Sequence, residues 1–193
     1  MELIEAIEGR RSIGRVRTDE PSREEIETLL RAAVKAPNHR NNQPWRFVVV
    51  AGKAREELGD AMGEGLRARL HDVDPDKAAV LIDGERAKPL RAPIVIVVAS
   101  KRSEDERIHP LEDMQACSAA IQNMLLAAHD KGLAAQWRTG GAVNDAVVKE
   151  HLGLDQRDEI AGFVYVGYPP EGYEANLKPR PREYAEFTEW RCS

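Results

Sequence analysis

The stretch APIVIVVA, residues 92 to 99, is the longest uninterrupted apolar run in the chain. A membrane helix needs roughly 20 such residues, so this run does not read as a span. Residues 93–100 suit a strand instead, one apolar on both faces and therefore in need of cover on both. Two further runs have the same character: the valine-rich 45–51, bounded by Pro44 and Gly52 and read as a buried strand, and GFVYVGYP, 162–169.

Between these runs the apolar residues recur at three and four. Leu3, Ile4, Ala6 and Ile7 mark a first short helix over 2–9. Ile26, Leu29, Leu30, Ala33 and Val34 mark a second, opened by the capping-box pair Ser22 and Glu25 and closed before Pro37. Residues 53–90 read as helical but weakly defined. Gly59, Gly63 and Gly65 dilute the pattern, and Asp74-Pro75 has the form of a cap with a first-turn proline. Met114, Cys117, Ala120, Ile121, Met124, Leu125 and Ala128 define the longest helix, about 110–131, with Gly132 as its stop. LAAQWRTGG, 133–141, reads as a short strand ending in a glycine turn, and Asn144 as the cap of a brief helix that stops near Gly153. The expected order is helix, helix, strand, two helices, strand, long helix, strand, helix, strand. That order describes a small sheet buried between helices, within one domain spanning 1–193. The segment beyond Pro170 lacks a core of its own and is expected to wrap its own or a partner's surface.

Composition narrows the function. With 42% hydrophobic residues the chain can bury one core, and its net charge of -5 argues against general affinity for nucleic acid or an anionic membrane. No basic-then-apolar leader opens the sequence, and Cys117 and Cys192 suggest neither a disulfide framework nor a metal cluster, which fits a cytoplasmic location. His39, His71, His109, His129 and His151 lack metal-ligand spacing. No glycine-rich loop joins a strand to a helix, so neither a nucleotide-triphosphate cradle nor a dinucleotide fingerprint is present.

Two basic islands remain on this acidic chain. Arg10, Arg11, Arg15 and Arg17 crowd its start, and Lys178, Arg180 and Arg182 its end. Paired guanidinium forks beside the Ser12 hydroxyl suit a phosphate monoester, because bidentate charged hydrogen bonds match its oxygens. Arg15 and Arg17 are assigned to solvent. The polar loop of His39, Arg40, Asn41, Asn42 and Gln43 sits directly before a strand, where five hydrogen-bonding side chains would make a rim for a ligand. Trp45, just after it, is read as a packing anchor.

Together, RRSIGR after the first helix, APNHRNNQPWRFVVV after the second, the long helix, QWRTG, GFVYVGYP and the late Lys178-x-Arg180 resemble the FMN-dependent nitroreductase family, above all its compact bacterial NAD(P)H nitroreductase branch. The resemblance covers nearly the whole chain and is weakest over about 55–90. It implies an α+β nitroreductase-like fold, with a small mixed or antiparallel sheet flanked by helices and a long central helix at a homodimer interface. It implies FMN at that interface, NADH or NADPH as donor, and ping-pong hydride transfer to a small flat acceptor such as a nitroaromatic or a quinone. No side chain would be catalytic, the chemistry lying at flavin N5. The implied cofactor-binding residues are Arg10, Arg11, Ser12, Lys35, His39, Asn42, Trp137, Arg138, Thr139, Lys178 and Arg180, with His39 and Asn42 reaching the neighbouring subunit's site. A flavin-binding redox sensor, or a reductive dehalogenase or flavin-fragmenting relative on the same fold, are the alternatives. Where larger relatives carry an acidic, glycine-containing motif this chain has QWRTGG, so nicotinamide contacts do not carry over.

Overall fold

The computed structural model describes residues 2–173 and 184–191. Short 3-10 turns aside, the described elements follow the expected order: α1 (Leu3–Gly9), α2 (Arg23–Ala33), β1 (Trp45–Ala51), α3 (Ala54–Arg69), α4 (Pro75–Arg86), β2 (Ile94–Ser100), α5 (Pro110–Asp130), β3 (Ala134–Arg138), α6 (Ala146–His151) and β4 (Glu159–Gly167). The caps form as the sequence signals them. Ser22 and Glu25 close a reciprocal capping box on α2, Asp74 accepts from the Lys77 amide ahead of Pro75 at the start of α4, and Gly132, at φ 69°, ends α5.

The strands form one sheet in the order β1-β2-β4-β3, antiparallel at every pairing. Alternation along β2 splits its side chains between two cores. Ile94, Ile96 and Val98 meet Leu29, Ile121 and Met124 of α2 and α5 on one face. Val95, Val97 and Ala99 meet Leu58, Met62 and Val148 of α3 and α6 on the other. This explains why β2 is apolar throughout: it lies inside the sheet with helices over both faces, and every residue of it is buried. The fold is α+β, with α5 across one face. Among the described residues no helix is long and apolar enough to cross a membrane.

Four expectations need correction. β1 is not a buried strand but the sheet's edge, and its Val49 is 44% exposed. Its valines resemble those of β2 because a half-covered edge still packs on two cores. The segment with Gly59, Gly63 and Gly65 is not poorly defined: α3 runs unbroken through all three. They are where other parts of the molecule touch it, since a Cβ on Gly59 would stand 2.3 Å from the Arg86 carbonyl and one on Gly65 2.4 Å from an Asp145 carboxylate oxygen. Asn144 does not cap α6. The N-cap position belongs to Asp145, whose carboxylate is drawn instead to Arg69. Finally, β4 begins at Glu159 rather than 162, because Gly162 is a strand-interior glycine and not a boundary.

Candidate cofactor site

Two motifs more than a hundred residues apart meet at the outer edge of the sheet. After α1 the chain runs along β3, with the Ile13 amide donating to the Ala135 carbonyl at 3.2 Å and the Arg17 amide to the Tyr168 carbonyl at 2.8 Å. Gly14 lies close against that strand: a Cβ there would stand 2.3 Å from Gln136 Oε1 and 3.3 Å from an Arg138 guanidinium nitrogen, so these side-chain ends would have to shift. This path brings the RRS triplet to the strand that carries Trp137 and Arg138.

Within the triplet, Arg11 Nη1 donates to the carbonyls of Glu8 and Arg10, so part of this guanidinium caps the C-terminal end of α1. Its Nε is buried and has no hydrogen-bond partner. Buried polar atoms are satisfied in nearly all native structures, and an orphaned guanidinium nitrogen is suited to an incoming anion. Ser12 is exposed beside it. His129, near the end of α5, faces the same pair: burial first, and then the charges of Arg10 and Arg11, push its pKa below the usual 6.5. Arg17 turns away, pairing with Asp19 at 2.7 Å and lying 5.5 Å from the Tyr168 ring centre, as expected of a surface residue.

Trp137 is held by a defect in the sheet. The register between β2 and β4 slips between Val98 and Ala99, leaving Ala161 without a partner on β2. The Trp137 indole N–H donates to the Ala161 carbonyl at 3.1 Å, and a Cβ on Gly162 would stand 2.2 Å from that indole nitrogen. The bulge and the glycine thus seat the ring, which stays 37% exposed. Arg138 Nε donates to Gln136 Oε1 at 3.1 Å, and its guanidinium lies 5.7 Å from the Tyr165 ring centre. Burial pushes the Tyr165 hydroxyl up to about 12. A cavity of about 50 Å³ is lined by Arg138 and Thr139 together with Glu85, Lys88 and Tyr165.

The polar loop before β1 contains a 3-10 turn, His39–Asn41, and is strained: Arg40 and Asn41 within the turn and Gln43 after it all have positive φ of 49–53°. Left-handed backbone costs a non-glycine residue about 1–2 kcal/mol. Two side chains fix the shape. Asn38 Oδ1 accepts from the Gln43 amide at 2.8 Å, and Asn42 Nδ2 donates to both carboxylate oxygens of Asp113 at 2.9 Å. Trp45 packs against the core beneath.

Of the predicted positions, Arg10, Arg11 and Ser12 lie on the segment that runs onto β3, and Trp137, Arg138 and Thr139 at the end of that strand. Lys35 and His39 are exposed at the end of α2 and in the loop that follows, and Asn42 is tied to Asp113. Lys178 and Arg180 lie outside the described residues. Sequence reasoning missed Asp113, Asp145 and Arg69. The first two look like ordinary acidic residues near helix starts, and Arg69 like a solvated end of α3; only tertiary contact distinguishes them.

The chain is similar to known proteins along most of its length. YdjA of Escherichia coli K12, provisionally named an NAD(P)H nitroreductase, is 35% identical over 169 residues, covering 88% of this chain and 89% of its own. YfhC of Bacillus subtilis, named likewise, is 30% identical over 97% of this chain and 93% of its own. A nitroreductase-like family protein from Bacillus cereus superposes with a TM-score of 0.81 at 26% identity, covering 99% and 96% of the two chains. A Desulfovibrio desulfuricans protein named as a nitroreductase and crystallised in complex with FMN superposes with a TM-score of 0.72 at 28% identity, covering 98% and 96%. The sequence model of the Nitroreductase family matches residues 7–168, and with that span and those relatives the chain belongs to the nitroreductase family.

Proposed function

We propose that the protein is an FMN-dependent NAD(P)H oxidoreductase that works as a homodimer through a ping-pong cycle and reduces a small flat acceptor. The observation that carries this reading is the buried, unpartnered Arg11 Nε on the segment that the Ile13 amide joins to β3, the strand that carries Trp137 and Arg138. FMN is the cofactor named for the Desulfovibrio relative, and NAD(P)H the donor named for YdjA.

The residues present fit such a cofactor. Arg10 and Arg11 supply positive charge for a phosphate, Ser12 a hydroxyl, and the turn Trp137–Thr139 a half-exposed aromatic and backbone N–H groups for a flat ring system. Bound there, FMN would accept two electrons from the nicotinamide and release them to the acceptor. The protein's share is to orient that ring, keep a positive environment around it and limit water at the exchanging face.

The homodimer is supported by apolar surface left uncovered on one chain. Leu3 and Ile4 of α1 are 66% and 61% exposed, and Trp190 near the C-terminus 80% exposed. A second subunit would cover such side chains where they lie on one contiguous face. In this reading the loop around His39 and Asn42 is polar because it completes the neighbouring subunit's cofactor site.

Purified protein should release FMN on denaturation, and its flavin absorbance should bleach on adding NADH or NADPH under anaerobic conditions. A protein that binds FMN but is bleached by neither would be a flavin-binding protein and no oxidoreductase. Failure to take up FMN at all would remove the proposal.

A further inference from the structure

Asp113 is 2% exposed, in the first turn of α5, and both its oxygens are directed at one amide nitrogen 71 residues earlier in the chain. A buried carboxylate is costly, and an apolar side chain would fill that space at less expense. The positive N-terminal end of α5 offsets part of the cost. What a carboxylate adds is direction. It accepts and cannot donate, so it fixes the Asn42 amide with its nitrogen turned inward and its oxygen free.

Asn42 is also the pivot of the loop. It has right-handed backbone, φ -64° and ψ -28°, between Asn41 at φ 53° and Gln43 at φ 49°. Holding its side chain therefore holds the backbone on both sides. Asn38 closes the loop on itself, but the Asn42 amide is what binds it to the body of the protein. Without that anchor, three left-handed non-glycine residues would be free to relax toward ordinary backbone regions.

We infer that Asp113 is a positioning residue which, through Asn42, imposes the strained shape in which the 38–43 loop can meet a second copy's cofactor site. The inference rests on the reading of that loop given above. Asp113 itself touches no ligand; it acts by preorganising a loop that otherwise must be ordered on binding.

The test compares wild type, Asp113→Asn, Asp113→Ala, Asn42→Ala and the double alanine variant. FMN affinity is followed by flavin fluorescence and amide hydrogen exchange is measured on the flavin-free proteins. Asp113→Ala should weaken FMN binding about tenfold, the worth of a charged hydrogen bond. Asp113→Asn should lose less, because the new carboxamide oxygen still accepts one bond from Asn42. Added to Asn42→Ala, Asp113→Ala should cost no more than about twofold further, since both changes cut one link. Exchange should quicken over residues 39–43 and stay slow in the middle of α5. A merely structural role would instead lower the melting midpoint and quicken exchange along α5, with FMN affinity and loop exchange unchanged, and would overturn the inference. Full additivity of the two alanine changes would overturn it too. Should the wild type take up no FMN, the cofactor reading falls on its own, and Asp113 is still judged by whether its loss frees the loop amides.

Discussion

Arg69, the last residue of α3, grips Asp145 at the start of α6 with two hydrogen bonds of 2.8 and 3.2 Å. The pair ties the helical segment 54–69 to the far side of the turn that follows Trp137. Gly65 and Gly141 give it room, since a Cβ on Gly141 would stand 2.3 Å from the Arg69 guanidinium. Asp145 is nearly buried, its side chain 6% exposed, so removing its partner strands a charge. Arg69→Ala should destabilise the fold by on the order of 3 kcal/mol in urea unfolding, whereas Arg69→Leu with Asp145→Asn should recover more than half of that. Equal losses in the two proteins would show that the ion pair itself, and not the stranded carboxylate, is what matters.

Arg11 and Arg17 separate site from surface within one basic cluster. Arg11→Ala should weaken FMN binding by about 1.5–3 kcal/mol, as for a charged hydrogen bond. Arg17→Ala should change it little, because Arg17 is an exposed residue already paired with Asp19. Equal losses in a flavin titration would mean that the cluster acts only as a diffuse positive field.

If each site draws on two chains, inactive variants should complement one another. An Arg11→Ala protein and a His39→Ala/Asn42→Ala protein are each expected to be inactive as homodimers. In a mixed dimer one site collects both defects and the other collects none. Random remixing makes about half the dimers mixed, each with one sound site, so roughly a quarter of wild-type NADH or NADPH oxidation should return at an FMN concentration that fills the wild-type site but not the variants'. Recovery no greater than the sum of the separate variants, with mixed dimers verified by mass, would place the loop in its own chain's site.

His129 makes stability pH-dependent near neutrality. Its folded pKa is held below 6.5 by burial and by Arg10 and Arg11, against a weaker opposite pull from Asp130. The unfolded chain therefore takes up the proton first. The contribution to stability is fully present above about pH 6.5 and is lost as the pH falls below that value toward the folded pKa. Chemical denaturation of wild type and His129→Gln should show the variant gaining relative to wild type between about pH 7.5 and 5.5. A difference that stays flat over that range would remove His129 as the titrating group.

Periodicity and turn chemistry carried the element order and most boundaries, because apolar spacing, the Ser22 capping box, Asp74-Pro75 and Gly132 act over a few residues and need no distant partner. The motifs RRS, NNQPW and QWRTG likewise pointed to the family by themselves. What local sequence did not reveal depends on contacts across the fold. The valines of β1 and β2 look alike, and only strand order makes one an edge and the other the centre. Gly65 and Gly162 are required by Asp145 and Trp137, side chains distant from them in the sequence. Asp113 and Asp145 are indistinguishable in sequence from solvated carboxylates at helix starts. Burial, with one amide and one guanidinium brought to them by the packing of α5 and α3, turns them into anchors for the loop and the turn.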